Sequence, residues 1–167
     1  RIAQARFTRN GREYQLVPTK GGNQLHGGPA GFSHRRWQIV EQNATHVVLR
    51  IASADGDQGY PGNLVATVCY RLENDARISM EYSATVDAPC PVNFTNHAYF
   101  NLDGAATDVR QHKLFIRAAR YLPINENLIP IGDLAPVAGT SFDFTQMKLI
   151  ARDFLSDAQQ SLASGYD

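Results

Sequence analysis

A chain of 167 residues with 43% hydrophobic and 19% charged residues has the composition of an ordinary globular protein with a substantial core. Its 16 basic and 16 acidic residues balance, which argues against a nucleic-acid partner because such proteins usually carry a basic excess. No apolar run approaches the roughly 18 residues that a membrane-spanning helix needs, so we expect no membrane partner.

The first half of the chain is typical of short strands separated by turns. We predict strands at residues 5–9, 13–17, 37–41, 46–52, 64–72 and 77–86. The first two flank Asn10-Gly11, a pair that supplies the positive φ angles of a tight hairpin. The last strand alternates apolar and polar residues, which indicates a sheet with one solvated face.

The second half is predicted to contain little helix. We predict strands at residues 92–102 and 113–118, an irregular stretch at 121–130, and short helices at 146–154 and 156–163. Ser156 is the candidate N-cap of the second helix. Many short strands punctuated by turns favour an all-β fold, either an antiparallel β-sandwich or an open barrel.

The two ends of the sequence indicate how much of the domain is present, and the two cysteines indicate the cellular compartment. The sequence begins at Arg1 in strand-like sequence and stops at Asp167 without a polar tail. We therefore expect a single domain over residues 1–167 that is truncated at both ends. Cys69 and Cys90 are too few for a disulfide framework, so we expect two free thiols. We also expect a cytoplasmic protein.

His97 lies in the strand predicted at residues 92–102. Strand periodicity separates two faces there, one with Asn93, Thr95, His97, Tyr99 and Asn101, the other with Phe94, Asn96, Ala98, Phe100 and Leu102. The first face is polar and suits the floor of a solvated cleft, whereas the second is largely apolar and should face the core. On pattern alone, a structural histidine on a solvated face remains an equal alternative.

His26 lies between Leu25 and the pair Gly27-Gly28. Glycine lets backbone approach a ligand closely, so this histidine is the second functional candidate. The alternative is a loop histidine bonded to nearby backbone.

The other histidines lack such a context. We expect His34, His46 and His112 to be surface residues, and Trp37 to be a core residue.

Metal-ligand motifs are weak in this chain. The sequence contains neither an HExxH motif nor a cysteine–histidine spacing typical of zinc. Asp55 and Asp57 lie in a glycine-rich turn without the further ligands of a calcium loop. We therefore expect no metal and no cofactor, although a metal bound by His26, His97 and a carboxylate remains an alternative.

Four blocks of sequence resemble the aldose 1-epimerase family, also called galactose mutarotases. They are residues 23–28 (NQLHGG), 57–62 (DQGYPG), 93–102 followed by Gly104, and 129–130 with 139–144 (GTSFDF). Their order and spacing fit the family over residues 1–167. The resemblance implies a large antiparallel β-sandwich, present here as an incomplete portion, with a sugar site in an open cleft. It also implies cofactor-free interconversion of the α and β anomers of free aldoses such as galactose and glucose.

The resemblance also implies roles for individual residues. His97 corresponds to the general acid, and His26 to the histidine that assists catalysis and binds the sugar. Arg1 and Asp167 correspond to substrate-binding residues. The family's general base is a glutamate further along the chain, and no glutamate of these 167 residues matches its motif. A non-catalytic sugar-binding or regulatory domain on the same scaffold is therefore the alternative function. A metal-dependent sugar isomerase that uses His26 and His97 is a third hypothesis.

Overall fold

The computed structural model describes residues 1–104 and 106–166, apart from the side chain of Lys20. Asp167 lies outside the described residues. The chain forms two compact units, Arg1–His97 and Ala98–Asp167. The expectation of one domain over residues 1–167 stays a prediction.

The first unit is built from six antiparallel strands. They are β1 (Arg6–Arg9), β2 (Arg12–Gln15), β3 (Gln38–Gln42), β4 (His46–Ser53), β5 (Leu64–Leu72) and β6 (Ile78–Val86). Strands β1 and β2 form a hairpin, and β3 to β6 form a four-stranded sheet in sequential order. The expected all-β class and antiparallel pairing are confirmed, and the six strands lie within a few residues of their predicted bounds.

The turns of this unit follow from local sequence. In the first hairpin Asn10 and Gly11 adopt φ angles of 52° and 74°, as the tight turn requires. In the turn between β5 and β6 the amide of Glu73 donates to the carbonyl of Arg77 at 2.8 Å. This turn fixes a register in which every apolar residue of β5's inner face lies opposite one of β6.

One face of the four-stranded sheet carries the core of the first unit. Ile51 of β4 lies opposite Ala66 of β5, and both are buried together with Leu64. Three aromatic side chains from outside the sheet pack against this cluster: Phe32, Trp37 and Phe94. The prediction that Trp37 belongs to the core is confirmed, and its indole nitrogen donates to the carbonyl of Phe32 at 3.1 Å.

The second unit has shorter elements. Its strands are β7 (Lys113–Leu114), β8 (Arg120–Tyr121), β9 (Ala135–Pro136) and β10 (Lys148–Leu149), and its α-helix is α1 (Ala158–Ala163). Strand β7 pairs with β10, and β8 pairs with β9. Val137 and Phe144 are buried, and the ring of Tyr166 packs edge-on against Phe144 with centroids 5.1 Å apart.

The helix predicted at residues 146–154 is wrong. Lys148–Leu149 instead forms β10 by pairing with β7, and only Ile150–Asp153 turns as a 3₁₀ helix. The Lys148 ammonium group donates to the carbonyl of Ser141 at 2.8 Å and to Asp153 at 2.6 Å. The pairing with β7 and the contact with Ser141 outweigh the local helical pattern.

The N-cap predicted for the last helix is also corrected. Helix α1 begins at Ala158, and the side chain of Asp157 accepts from the amide of Gln159 at 2.8 Å. Ser156 instead donates its hydroxyl to the carbonyl of Asp153 at 2.7 Å. Asp157 is the cap because its carboxylate satisfies one of the free amides at the start of the helix.

The strand predicted at residues 92–102 is not formed among the residues that the structure describes. No β-ladder of the described chain includes these positions, because a strand requires a hydrogen-bonded neighbour as well as alternating side chains. Phe94 is half-buried as expected. Phe100 and Leu102, which were expected to face the core, are 61% and 87% exposed. The strand at 113–118 is likewise reduced to the two residues of β7.

Candidate functional site

The first unit brings His26 and His97 into contact although they are far apart in the sequence. Their ring centroids are 5.6 Å apart, and the ring planes meet at 69°, edge to face. Both residues are exposed. Two solvent-accessible imidazoles at this spacing can donate to and accept from one polar small molecule, because each ring offers a nitrogen donor and a nitrogen acceptor.

The loop that carries His26 is compact and has a left-handed backbone. His26 has φ 53°, and Gly27 and Gly28 continue at 80° and 95°. The amide of Gly31 donates to the carbonyl of Gly28 at 3.0 Å, and a β-carbon on Gly31 would lie 2.1 Å from the carbonyl oxygen of His26. This close approach explains why glycine occupies the end of the loop.

A buried amide supports the chain leading into this loop. Gln24 is 2% exposed, and its side chain accepts from the Tyr60 hydroxyl while donating to the carbonyl of Val17 at 3.2 Å. On the other side of the loop, the side-chain oxygen of Gln58 accepts from the amide of Ala30 at 3.2 Å. The segment with Gln58 and Tyr60 is therefore hydrogen-bonded to the chain on both sides of His26.

An ion pair braces the same loop. The Arg35 guanidinium group donates to both carboxylate oxygens of Asp57, at 2.5 and 2.6 Å, and Ser53 donates to that carboxylate at 2.5 Å. The Nε of Arg35 donates to the carbonyl of Ala30 at 2.7 Å. Hydrogen bonding from Arg35 lowers the pKa of Asp57, and the same bond raises the pKa of Arg35. The pair therefore stays charged at neutral pH.

The segment that carries His97 is anchored by an aromatic side chain. Phe94 stacks on Tyr82 of β6 with centroids 6.0 Å apart, and on Phe32 with centroids 5.9 Å apart. Next to His97, the side-chain amide of Asn96 donates to the Tyr70 hydroxyl at 3.3 Å. Both histidine-bearing segments thus contact the same four-stranded sheet.

Two tyrosines around the site stay protonated at neutral pH. Burial raises the pKa of Tyr60 to about 12, with a smaller contribution from the neighbouring Cys90. Burial also raises the pKa of Tyr82 to about 12. Neither phenol is therefore deprotonated at neutral pH.

The remaining candidate site residues lie at the two ends of the chain. Arg1 is exposed and precedes Ile2, whose amide and carbonyl exchange 2.9 Å hydrogen bonds with Gln24. The backbone next to Arg1 thus pairs with the segment leading into the His26 loop. The substrate-binding role predicted for Asp167 falls on a residue outside the described part of the chain.

The prediction for the other histidines is confirmed for one and corrected for two. His34 is exposed. The side chains of His46 and His112 are only 9% and 17% exposed. A ring nitrogen of His46 lies 2.7 Å from the carboxylate of Glu41, and one of His112 lies 3.1 Å from that of Asp103. These two are half-buried because a nearby carboxylate satisfies the ring nitrogen.

The described residues offer few metal ligands. Within residues 1–104 and 106–166, no three side chains of histidine, cysteine, aspartate or glutamate form a group that could hold a metal ion. Asp55 accepts from the amide of Gly62 at 2.6 Å, and Asp57 is held by Arg35. The carboxylates of the glycine-rich turn therefore have protein partners.

Across the same residues, none of the helices is long and apolar enough to cross a membrane.

Each unit also has an open cavity away from the two histidines. A cavity of about 430 Å³ in the first unit is lined by Arg35, Arg36, Gln38, Arg50, Ile51 and Ala52. A cavity of about 510 Å³ in the second unit lies around Ser141, Lys148 and Arg152. Neither is lined by a histidine, so the contact of His26 with His97 lies outside both cavities.

Comparison with known proteins decides the family. The family model described as aldose 1-epimerase matches residues 1–167. The chain belongs to the aldose 1-epimerase family. It is 59% identical to the aldose 1-epimerase of Escherichia coli (strain K12) over 167 residues, which is all of this chain and 48% of that protein. It is 43% identical to the galactose mutarotase of Homo sapiens over 144 residues, 86% of this chain and 42% of that protein.

A solved structure shows the same fold. The galactose 1-epimerase from Lactobacillus acidophilus NCFM superposes with a TM-score of 0.89 at 30% identity, over 99% of this chain and 50% of that one. The fold class expected from the family resemblance is confirmed. The chain spans about half the length of the curated relatives that it matches.

The supporting residues of this epimerase-family site were missed in the sequence. Arg35 and Gln58 make the contacts that hold the His26 loop, and Phe32 stacks on the anchor of the His97 segment. The DQGYPG block carried the family resemblance and was interpreted as a turn, but its contacts with the His26 loop were not predicted. The glycines of the NQLHGG and DQGYPG blocks were a usable signal for these contacts. Glycine permits close approach of backbone, so two glycine-rich blocks are candidates to pack against each other.

Proposed function

We propose that the complete protein is an aldose 1-epimerase, which interconverts the α and β anomers of free aldoses such as galactose and glucose. The observation that carries this proposal is the contact between His26 and His97, 5.6 Å between ring centroids, in a chain of this family. Each histidine comes from one of the two blocks most specific to the family. Both imidazoles are open to solvent, as a soluble sugar requires.

The proposed reaction is ring opening followed by closure on the other face. A base removes the proton of the C1 hydroxyl, the C1–O5 bond breaks, and His97 gives its proton to the ring oxygen. Rotation about C1–C2 then presents the opposite face of the aldehyde, and the two proton transfers reverse. The overall step is redox-neutral and needs only acid–base groups, so no cofactor takes part.

His26 is proposed to assist His97 and to bind the sugar. With its ring edge-to-face against His97, it can hydrogen-bond a hydroxyl of a sugar that contacts both rings. Arg1 and Asp167 are proposed to bind further sugar hydroxyls, because arginine and aspartate as residue types can make charge-assisted hydrogen bonds.

The general base is proposed to be a glutamate supplied from outside these 167 residues. No glutamate of this chain is assigned the role, and the chain spans about half of its relatives. A positioned acid or base contributes about 10²- to 10⁴-fold to a rate. The proposed activity therefore belongs to the complete protein, and residues 1–167 alone should be inactive or weak.

We infer a cytoplasmic enzyme whose partner is the small-molecule aldose itself, with no nucleic acid or membrane involved. The balanced charge of the chain supports this inference. The two thiols, both free, also fit a reducing compartment.

Polarimetry on the complete protein tests the proposal. Freshly dissolved α-D-galactose or α-D-glucose should reach its equilibrium rotation faster with enzyme than without, and treatment with EDTA should leave the rate unchanged. Sugar binding by calorimetry without any acceleration would instead support the non-catalytic sugar-binding domain. A rate abolished by EDTA and restored by a divalent metal would support the metal-dependent isomerase.

A further inference from the structure

We propose that Phe94 is a positioning residue that holds His97 against His26 through a column of stacked aromatic rings. The column consists of Trp37, Phe32, Phe94 and Tyr82. The effect on catalysis rests on the proposed epimerase activity, whereas the effect on ring placement does not.

The column is continuous from one end to the other. Trp37 meets Phe32 edge-on with centroids 6.2 Å apart and an interplanar angle of 88°. Phe32 and Phe94 stack at 5.9 Å and 20°, and Phe94 and Tyr82 stack at 6.0 Å and 9°. These distances fall within the 4.5–7 Å range of favourable aromatic pairs, each contributing about 0.5–1.5 kcal/mol beyond burial.

The column joins the two histidine-bearing segments. Phe32 directly follows Gly31, where an added β-carbon would lie 2.1 Å from the carbonyl oxygen of His26. Phe94 lies three residues before His97 in the chain. The Phe32–Phe94 stack is therefore a direct side-chain connection between the His26 loop and the His97 segment.

The sheet gives the column a fixed base. Tyr82 lies opposite Val68 in the β5–β6 ladder, and Val68 is buried. Phe32 and Phe94 pack on the buried cluster around Ile51 and Ala66. Because protein cores are closely packed, a ring that packs on this buried cluster can move little. The backbone that carries the ring is restricted with it.

The His97 segment depends on such an anchor because it belongs to no β-ladder of the described residues. A flat ring held on both faces fixes position and orientation, whereas an aliphatic side chain of similar size fixes mainly the volume. Loss of the ring should let His97 shift relative to His26. A misplacement of about 1 Å can cost about 10²-fold in rate.

The test uses the complete protein with Phe94→Leu, Phe32→Leu and Phe94→Tyr. We expect Phe94→Leu and Phe32→Leu each to lower kcat about 10- to 100-fold with little change in KM, because the acid is misplaced but the sugar still binds. Phe94→Tyr keeps both ring faces and should restore most of kcat. The double variant should lose little more than either single variant, since both break one column.

Tyr14→Leu is the matched control. Tyr14 stacks on Phe7 with centroids 5.1 Å apart in the first hairpin, and it is not part of the column. This variant also loses an aromatic stack, but kcat should remain that of the wild type. Activities are compared per folded molecule, with the folded fraction taken from thermal melts.

A readout independent of activity separates this inference from the proposed function. Nuclear Overhauser contacts between the His26 and His97 rings should be present in the wild type and in Phe94→Tyr, and lost in folded Phe94→Leu or Phe32→Leu. Wild-type protein with those contacts but without mutarotation would overturn the proposed function alone. Folded Phe94→Leu and Phe32→Leu proteins with wild-type contacts and kcat would overturn the positioning role.

Discussion

The side-chain oxygen of Gln58 lies 2.5 Å from the point that a β-carbon on Gly28 would occupy. Gly28 lies two residues after His26 in the left-handed loop, and Gln58 belongs to the DQGYPG block. The same Gln58 oxygen accepts from the amide of Ala30. The two glycine-rich blocks therefore fit together at a point where any side chain on residue 28 would collide.

Gly28→Ala should destabilise the protein more than Gly11→Ala. Both positions have positive φ, 95° and 74°, but nothing lies within 4 Å of a β-carbon on Gly11. The backbone cost should be about 1–2 kcal/mol at either site. Displacement of Gln58 should add about 1 kcal/mol at position 28 through the lost hydrogen bond. Urea denaturation measures both free energies of unfolding, and equal losses would contradict the predicted collision.

Asp57→Asn should cost about 1.5–3 kcal/mol of stability at pH 7, because the bidentate contact with Arg35 is charge-assisted. The pKa of Asp57 is lowered in the folded state from its ordinary value of 3.8. The ion pair therefore stabilises the fold above that pH, and its contribution falls as the pH drops through the lowered value. Denaturation from pH 7 to pH 2 should show the gap between wild type and variant closing.

Asp75→Asn provides the control for this prediction. Asp75 also lies 2.5 Å from an arginine, Arg77, but both side chains are largely exposed. Solvent screens such a pair, so the substitution should change stability little at any pH. A loss as large as that of Asp57→Asn would show that burial does not decide the difference.

Gln160→Leu should destabilise the second unit by about 1–3 kcal/mol. Gln160 is 0% exposed, accepts from the amide of Leu155, and donates to the carbonyl of Asp153 at 3.0 Å. Leucine fills the space but removes the acceptor of the Leu155 amide, whereas the carbonyl of Asp153 keeps the Ser156 hydroxyl as a donor. Hydrogen exchange of amides in residues 98–166 measures the effect. Gln146→Leu, at an exposed position, should leave the exchange unchanged.

Cys69 and Cys90 should both be modified by iodoacetamide after denaturation without reductant, because both thiols are free. Peptide mass spectrometry identifies the two adducts. In the folded protein, burial raises the pKa of the Cys90 thiol, so its modification at pH 8 should be slower than that of an exposed cysteine. An unmodified pair that becomes reactive only after reduction would reveal a disulfide.

The features predicted correctly from the sequence are mainly local. The Asn10-Gly11 turn depends on neighbours in the chain, and this prediction is confirmed. The alternation along β6 is followed only in part, because Met80 and Tyr82 of its apolar set are half-buried whereas Ile78 and Ala84 are exposed. The helix predicted around Lys148 was wrong because that segment pairs with β7, distant in sequence. Local pattern carries no information about such a partner.

In the candidate site, the two histidines were predicted from local sequence, whereas their supporting contacts were not. His26 and His97 were singled out by their local blocks, but their 5.6 Å separation depends on the folded sheet. The ion pair of Arg35 with Asp57 and the stack of Phe32 on Phe94 also join distant segments. These supporting contacts follow from tertiary packing, which periodicity and spacing do not specify.

The mutarotation rate of His97→Gln in the complete protein tests the central claim most directly. Glutamine keeps a hydrogen-bonding side chain but cannot donate a proton to the ring oxygen, so polarimetry on fresh α-D-galactose should show a kcat about 10²- to 10⁴-fold lower. His34→Gln, at an exposed position outside the site, should keep the wild-type rate. A folded His97→Gln protein with the wild-type rate would contradict the account.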